Sequence, residues 1–269
     1  MKNVAVITGA ASGIGRGLAE RFAAEGMKVV LADVEEAALA KLSAALEAKG
    51  ATVLAVKTDV SNAAEVENLA ERTLETFGAV HILCNNAGVA CSRPIWEHTV
   101  ADWEWVLGVN LWGVIHGIRA FVPRMLAQGD PCHIVNTASI LGLVSGGGTG
   151  IYKVSKHGVV VLSEVLADEL AQKGANIHVH VLCPGWVRTG ILDSERNRPD
   201  ALQNHKTQTP SRLQTIGGSG DARAEMEAGM SPTEVAEHVY NAIQNGTFYI
   251  HTHPEHKTAI RERMERILE

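Results

Sequence analysis

The stretch VAVITGAASGIGRGLAERFAAEG, residues 4–26, changes its periodicity partway along. VAVIT is uniformly apolar, the pattern of a strand buried on both faces, while RGLAERFAAEG carries its apolar residues at helical spacing. Between them lie Gly9, Ser12, Gly13, Ile14 and Gly15, a tight strand-to-helix turn. Glycines in such a turn let the backbone pass close to a pyrophosphate, and the helix that follows offers free N–H groups and its positive dipole end to phosphate oxygens. A turn needs glycine for backbone reasons alone, so the motif gains meaning only from its context. That context is KVVLAD, a second apolar run ending in Asp33, eighteen positions beyond Gly15. A carboxylate there is placed to accept hydrogen bonds from the hydroxyls of an adenosine ribose. Its plainer alternative is to cap the helix that begins EEAALAKL.

The strand-then-helix unit recurs. TVLAVKTD, VHILCNNAG, HIVNTAS and IHVHVLCPG are short apolar runs, each followed by helical periodicity, and TFYIH reads as a last strand. Strands this apolar are covered on both faces, which predicts an α/β fold: a doubly wound, mostly parallel sheet of the Rossmann type in three α/β/α layers. With 269 residues, 46% of them hydrophobic, the chain is expected to form one domain, 1–269. One irregular segment, about 190–230, breaks the rhythm before PTEVAEHVYNAIQNG, and a loop this long in a compact fold reads as a substrate lid.

Composition removes several classes. A net charge of −6, with 24 basic residues spread along the chain, supplies no patch for a nucleic acid. The opening apolar run is too short for a signal core or a membrane span, so the chain is read as cytoplasmic with no membrane partner. Cys84, Cys91, Cys132 and Cys183 form no CxxC pair, which fits reduced thiols, and Cys84, Cys132 and Cys183 sit in strand-like runs as inert core. His251, His253 and His256 imitate a metal cluster by spacing but flank the last strand, far from the expected chemistry, so they are assigned to the surface or an interface and no metal is expected. His178 and His180 share one face of a strand and read as packed. Trp105 and Trp112, seven apart on one helical face, read as a subunit interface.

Asp33 also speaks to cofactor choice. NADP would set a 2′-phosphate against its carboxylate, so NAD is favoured. Rescue of NADP by a cation has little support nearby: Ser12 is neutral, Val34 follows Asp33, the next base is Lys41, and Arg16 is a weaker candidate.

With these pieces in place the sequence resembles the short-chain dehydrogenase/reductase family from residue 4 to about 250. TGAASGIG (8–15) is similar to its TGxxxGxG turn, Asp59-Val60 to its adenine-contacting pair, and Asn85-Asn86-Ala87-Gly88 to its NNAG segment. Asn110, Ser139, Tyr152-x-x-x-Lys156 and Pro184-Gly185 continue the pattern, with Val187 and Thr189 just beyond. The resemblance implies that these residues bind the cofactor, that Asn110, Ser139, Tyr152 and Lys156 are the catalytic set, that Asn110 holds a water beside the lysine, and that the chain is a homo-oligomer, tetramer or dimer.

The residues themselves support that chemistry. A tyrosine with an ordinary pKa near 10 acts as a base near neutrality only if a nearby cation lowers it, and Lys156 lies one turn away on the same face. Ser139 is placed to hold the substrate oxygen. Ile140, Leu141, Leu143, Cys91, Trp96 and Trp186, with Ser139 and Tyr152, are expected to wall an apolar substrate pocket. Of Arg93, Arg188, Arg196 and Arg198, the one nearest the motif, Arg188, is assigned to the surface or the cofactor edge. The glycine-rich run 145–150 is expected to be a mobile or tightly approached wall. The expected reaction is NAD-dependent interconversion of a small, mainly apolar secondary alcohol and its ketone. The alternatives are an NADP-dependent carbonyl reductase, which Asp33 opposes, and a non-catalytic NAD-binding sensor or scaffold, which the intact Asn110, Ser139, Tyr152 and Lys156 oppose.

Overall fold

The structure, a computed structural model, describes residues 3–204 and 221–269. In chain order it runs β1 (Val4–Thr8), α1 (Gly13–Ala24), β2 (Lys28–Asp33), α2 (Glu36–Glu47), β3 (Thr52–Lys57), α3 (Ala63–Phe77) and β4 (Ile82–Asn85). There follow α4 (Val100–Leu107), α5 (Gly113–Gln128), β5 (Cys132–Thr137), α6 (Gly150–Gln172) and β6 (Ile177–Cys183). After a segment of short 3₁₀ turns come α7 (Ala222–Ala228), α8 (Pro232–Asn245), β7 (Tyr249–His251) and α9 (Lys257–Leu268).

The sheet order is β3-β2-β1-β4-β5-β6-β7, every pair parallel. The chain winds outward from β1 to β3, then returns to lay β4 against the other side of β1. That reversal opens a crevice at the carboxyl ends of β1 and β4, where ligands bind in such sheets. Alternation along β1 divides the core: Ala5 and Ile7 pack with Leu18 and Phe22 of α1, Leu39 of α2 and Val239 of α8, whereas Val4 and Val6 pack with Leu69 of α3 and Phe121 and Met125 of α5. Each large side chain fully buried this way contributes about 1.5–3 kcal/mol. The expected doubly wound fold is what the chain adopts.

Between α4 and α5 the helix widens into a single π turn, Gly108–Trp112. The extra residue rotates everything after it by about 100°, the helical angle per residue. Trp105 is therefore buried at 2% exposure and Trp112 lies out at 49%, so the two do not share a face as their spacing predicts. The helical run Val100–Gln128 is long and apolar enough to match a bilayer, but half of its most apolar window is buried within the fold.

The irregular segment begins with 3₁₀ turns at Ile191–Asn197 and Asp200–Leu202 and resumes with α7; the rest of the expected lid, 205–220, lies outside the described residues. Its near end is pinned by Arg198, whose guanidinium forms a buried ion pair with Asp102 and lies 4.8 Å from the Trp105 ring centroid. Asp102 also completes a capping box with Thr99 at the start of α4 and accepts from Asn204 Nδ2 at 2.8 Å. Neighbouring Cys91 and His98 bring their ligand atoms within 4.8 Å of this carboxylate, whose oxygens are already taken by Arg198, Asn204 and the Thr99 amide.

Candidate active site

A long cavity follows the carboxyl ends of β1, β2, β4, β5 and β6. At its centre Gly9, Ser12, Gly13 and Ile14 present the start of α1 to the cavity. No side chain caps that helix and its first turn carries no acid, so its amides are free to meet an anion. Gly9 turns through φ +64°, and a Cβ on it would stand 2.8 Å from the Ala87 Cα. Gly15 does not face the cavity: a Cβ there would stand 2.1 Å from the Gly9 carbonyl oxygen, so its role is the tight seating of helix on strand.

Asp33 closes one end. It does not cap α2; its Oδ2 accepts from the Ala11 amide at 2.9 Å and its Oδ1 from the Glu35 amide at 3.0 Å, leaving the carboxylate on the cavity wall beside Val34. Asp59 and Val60 form the adjacent edge. Glu35 also lines this end and holds the 3₁₀ segment that follows β6: its Oε1 accepts from Arg196 at 3.1 and 2.7 Å and from Asn197 Nδ2 at 2.8 Å. These donors hold the Glu35 carboxyl below its ordinary pKa, Asn197 most of all. The 161-residue separation of Glu35 and Arg196 leaves no local sequence signal for the clasp.

The Asn86-Ala87-Gly88 loop is fastened to β1. The Thr8 hydroxyl accepts from the Asn86 and Ala87 amides at 2.9 and 3.1 Å, and Asn86 Nδ2 donates to the Thr8 carbonyl at 2.9 Å. Asn110 sits in the π turn, fully buried behind this loop and off the cavity surface. Its Oδ1 accepts from the Val89 amide at 2.8 Å, and its Nδ2 donates to the Val89 carbonyl at 2.9 Å and to Ser155 Oγ at 3.1 Å. The buried amide is thereby satisfied. A Cβ on Gly88 would stand 3.6 Å from both Asn110 Oδ1 and Lys156 Nζ, so the asparagine and the lysine flank the same gap.

At the far end the cavity reaches Ser139, Tyr152 and Lys156. Lys156 is buried, donates to the Thr137 carbonyl at 2.8 Å, and places Nζ 5.6 Å from the Tyr152 ring centroid. Burial pushes its pKa down to about 8. The Tyr152 phenol is pushed up to about 12 by burial, against which its bond with Ser139 works in the lowering direction. Loss of water around the phenolate outweighs the Ser139 donor. Ser139 is oriented by the Leu141 amide, which donates to its Oγ at 3.1 Å, and by the Pro184 carbonyl, which accepts from it at 3.4 Å. Just before α6, Thr149 holds φ 49°, the one non-glycine residue at positive φ among the described residues, and it too lines the cavity. A β-branched residue in that conformation is strained, as recurs at functional sites. Within the glycine run, Gly146 and Gly147 have open space beside them and Gly150 is tightly approached, since a Cβ on it would stand 3.1 Å from Ile95 Cδ1; Lys153 Nζ gathers the carbonyls of Gly146, Gly147 and Gly148 at 2.9–3.2 Å.

The pocket wall differs in part from expectation. Ile140, Leu141 and Trp186 line the cavity, as do Pro184, Gly185, Val187 and Thr189. Cys91 packs instead with Val89, Trp105, Val106 and Ile151. Leu143 joins a core cluster with Val114 and Val159. Trp96 points outward at 82% exposure. Proximity along the chain does not place these three in the pocket: Cys91 and Leu143 turn into the core, and Trp96 lies on a 3₁₀ turn, Ile95–Glu97, that faces outward. Trp105, Glu104 and Val109 of the α4–π-turn region take their place, with Ile191, Leu192 and Leu202 from the 3₁₀ segment after β6. Among the described residues the basic groups on the cavity surface are Lys156 and Arg196, while Arg188 is exposed.

Two histidine assignments also change. His180 is buried, but His178 is exposed, both stacking on His133 across the strands. His253 and His256 are not remote: they pack against Gly185, on the back of the cavity wall.

Comparison with known proteins agrees with this geometry. Residues 3–200 match the model of the short chain dehydrogenase family. The chain is 36% identical over 265 residues to a CLA biosynthesis dehydrogenase/reductase of Lactiplantibacillus plantarum, covering 98% of this chain and 93% of that protein. It is 40% identical over 188 residues to 3beta-hydroxysteroid dehydrogenase 2 of Eggerthella lenta, covering 70% of this chain and 72% of that one. A short chain dehydrogenase/reductase from Burkholderia phymatum, solved in complex with NAD, superposes with a TM-score of 0.91 at 47% identity over 99% of this chain and 94% of the other. With a glycine turn at the centre of the cavity, Asp33 at one end and a serine, a tyrosine and a lysine at the other, the chain belongs to the short-chain dehydrogenase/reductase family of NAD(P)-binding oxidoreductases.

Proposed function

We propose that the chain is an NAD-dependent dehydrogenase that interconverts a neutral, mainly apolar secondary alcohol and its ketone, with Tyr152 moving the proton. The observation that carries this reading is the pairing of ends: Asp33 at the ribose end and Ser139, Tyr152 and Lys156 at the other, on one continuous cavity. The cradle fits a dinucleotide, since the uncapped start of α1 offers amides to a pyrophosphate and Asp33 offers an acceptor to ribose hydroxyls. When bound, NAD supplies the hydride acceptor and, in its oxidised nicotinamide, a fixed positive charge. Ser139 Oγ holds the substrate oxygen, Tyr152 Oη takes its proton during oxidation, and the Lys156 ammonium stabilises the resulting phenolate. The proton then passes toward Lys156 and the gap it shares with Asn110.

An apolar substrate is favoured by Ile140, Leu141, Trp105 and Trp186 on the wall and by the distribution of cations. Lys156 is committed to the proton relay, and Arg196 is bound to Glu35 at the opposite end. The same Arg196 is the observation in favour of an NADP enzyme, but Asp33 and Glu35 surround that end with negative charge. Trp112 and, at spacings of seven and four on α6, Val154, Val161 and Val165 are exposed apolar residues, which supports a homodimer or homotetramer through the π turn and α6.

A panel of secondary alcohols and ketones, each assayed by nicotinamide absorbance with NAD(H) and with NADP(H), tests the reading. Faster turnover of neutral substrates with NAD is expected. Preference for NADP, or for matched acidic alcohols, contradicts the corresponding part, and inactivity across an adequate panel favours the scaffold reading.

A further inference from the structure

One peptide group behind the cavity is held from both sides. The Pro184 carbonyl accepts from the Ile140 amide at 2.9 Å and from the Ser139 hydroxyl at 3.4 Å. The N–H of the same peptide, that of Gly185, donates to His253 Nδ1 at 3.1 Å. Because an amide N–H can only donate, Nδ1 must be unprotonated, which fixes His253 as the neutral tautomer with its proton on Nε2. The Thr252 hydroxyl lies 2.7 Å from the same nitrogen. His256 stacks on His253 with ring centroids 5.8 Å apart, and a Cβ on Gly185 would stand 2.9 Å from both His253 Cγ and His256 Nε2. A glycine at 185 is what lets the ring come this close. His253 is not on the cavity surface, so it touches neither substrate nor cofactor.

We propose that His253 is a positioning residue for the reaction: by accepting the Gly185 N–H it fixes the peptide plane on which Ser139 leans, and its protonation releases that plane. The inference rests on the functional reading above, which gives Ser139 the substrate oxygen. A peptide is planar and stiff, so turning its N–H turns the carbonyl on the other side. A protonated Nδ1 would set N–H against N–H, and either the ring or the peptide must rotate. Burial already disfavours the charged ring, His256 and His238 of α8 add to that, and Glu255 and the Trp186 backbone oppose it. Acid therefore has to overcome burial before the plane is freed, which puts the transition below the ordinary histidine value of about 6.5.

The test compares His253→Ala and His253→Asn with the wild type in the direction of carbonyl reduction. That direction uses the protonated phenol, and Tyr152, pushed up to about 12, stays protonated in acid, so an acid limb there cannot be the tyrosine's. Loss of the acceptor in His253→Ala should lower kcat by about 10- to 100-fold, the scale of a misplaced catalytic group, with little change in the KM for NADH. The asparagine side chain offers an acceptor that gains no proton, so His253→Asn should recover most of that rate and lack the acid decline of the wild type. An alanine variant as fast as wild type, or an asparagine variant with the same acid decline, overturns the inference. Crystal structures of both variants decide it independently of turnover: the Pro184–Gly185 peptide should move off Ser139 in the alanine variant and stay in the asparagine variant. A peptide unmoved in His253→Ala refutes the role even if activity falls, whereas a wild type that reduces no carbonyl, with the peptide responding as described, refutes the functional reading and not the coupling.

Discussion

Replacing Lys156 with Met probes the electrostatics of the proposed proton transfer. The ammonium lies 5.6 Å from the Tyr152 ring centroid. Taking that as the charge separation, with an effective dielectric of about 20, the attraction between ammonium and phenolate is about 3 kcal/mol. At 1.36 kcal/mol per unit this raises the tyrosine pKa by about 2 on substitution. The sign follows from the direction of reaction: alcohol oxidation needs the phenolate, so removing the cation moves the acid limb of kcat upward. Below about pH 8, where the wild-type lysine is charged and the phenol of either enzyme is protonated, the rate should fall about 100-fold. Methionine fills the volume but leaves the Thr137 carbonyl without its donor, which costs about 1–3 kcal/mol of stability, so a melting curve must accompany the kinetics. Stopped-flow measurement of NADH formation from about pH 6 to about 7.5, below the Lys156 pKa of about 8, reads that fall directly. A folded Lys156→Met enzyme that forms NADH at nearly the wild-type rate across that range refutes the stabilising role of the lysine.

Other expectations rest on separate parts of the structure. Asp33→Ala should weaken NAD and narrow the preference over NADP, and adding Glu35→Ala, which frees Arg196, should narrow it further; initial rates with both cofactors check this, and an unchanged ratio in the double variant counts against the assignment. Arg198→Ala leaves the buried Asp102 carboxylate without its closest cation and should cost about 3 kcal/mol in denaturant unfolding, at the low end for a broken buried pair because Asn204 and Arg93 remain; a loss under about 1 kcal/mol would contradict the pinning role. Burial and its histidine neighbours push His133 down to about 4. The unfolded chain then binds more protons, so stability should be full above about 6.5 and decline as pH falls toward 4, and a melting temperature equal at pH 7.5 and 5 would refute this.

The parts of the site carried by local pattern were legible in the sequence. A change from strand to helical periodicity around Gly9, Gly13 and Gly15, an acid ending the next strand, and a tyrosine one turn before a lysine each show within a few residues, and the structure puts all of them on one cavity except Gly15, which seats the helix behind it. What was hidden depends on how irregular segments pack. The π turn at Gly108–Trp112 separated Trp105 from Trp112. Cys91 packs into a core cluster, the 3₁₀ turn Ile95–Glu97 leaves Trp96 outward, and the Glu35–Arg196 clasp joins residues 161 positions apart. His253 meets Gly185 across 68 residues. A glycine immediately beyond a strand that carries the site was the available signal that something packs closely there. The Thr99-x-x-Asp102 pattern likewise marked a helix start, but not that the same carboxylate pairs with Arg198.

The central claim is that Tyr152 moves the proton, and Tyr152→Phe tests it most directly, since it removes one hydroxyl and keeps the ring. Turnover of the best alcohol from the panel with NAD should fall by at least about 100-fold, the lower range for loss of a general acid–base group, while calorimetric NAD affinity stays close to wild type. A Tyr152→Phe variant that binds NAD and turns over at nearly the wild-type rate would contradict the account.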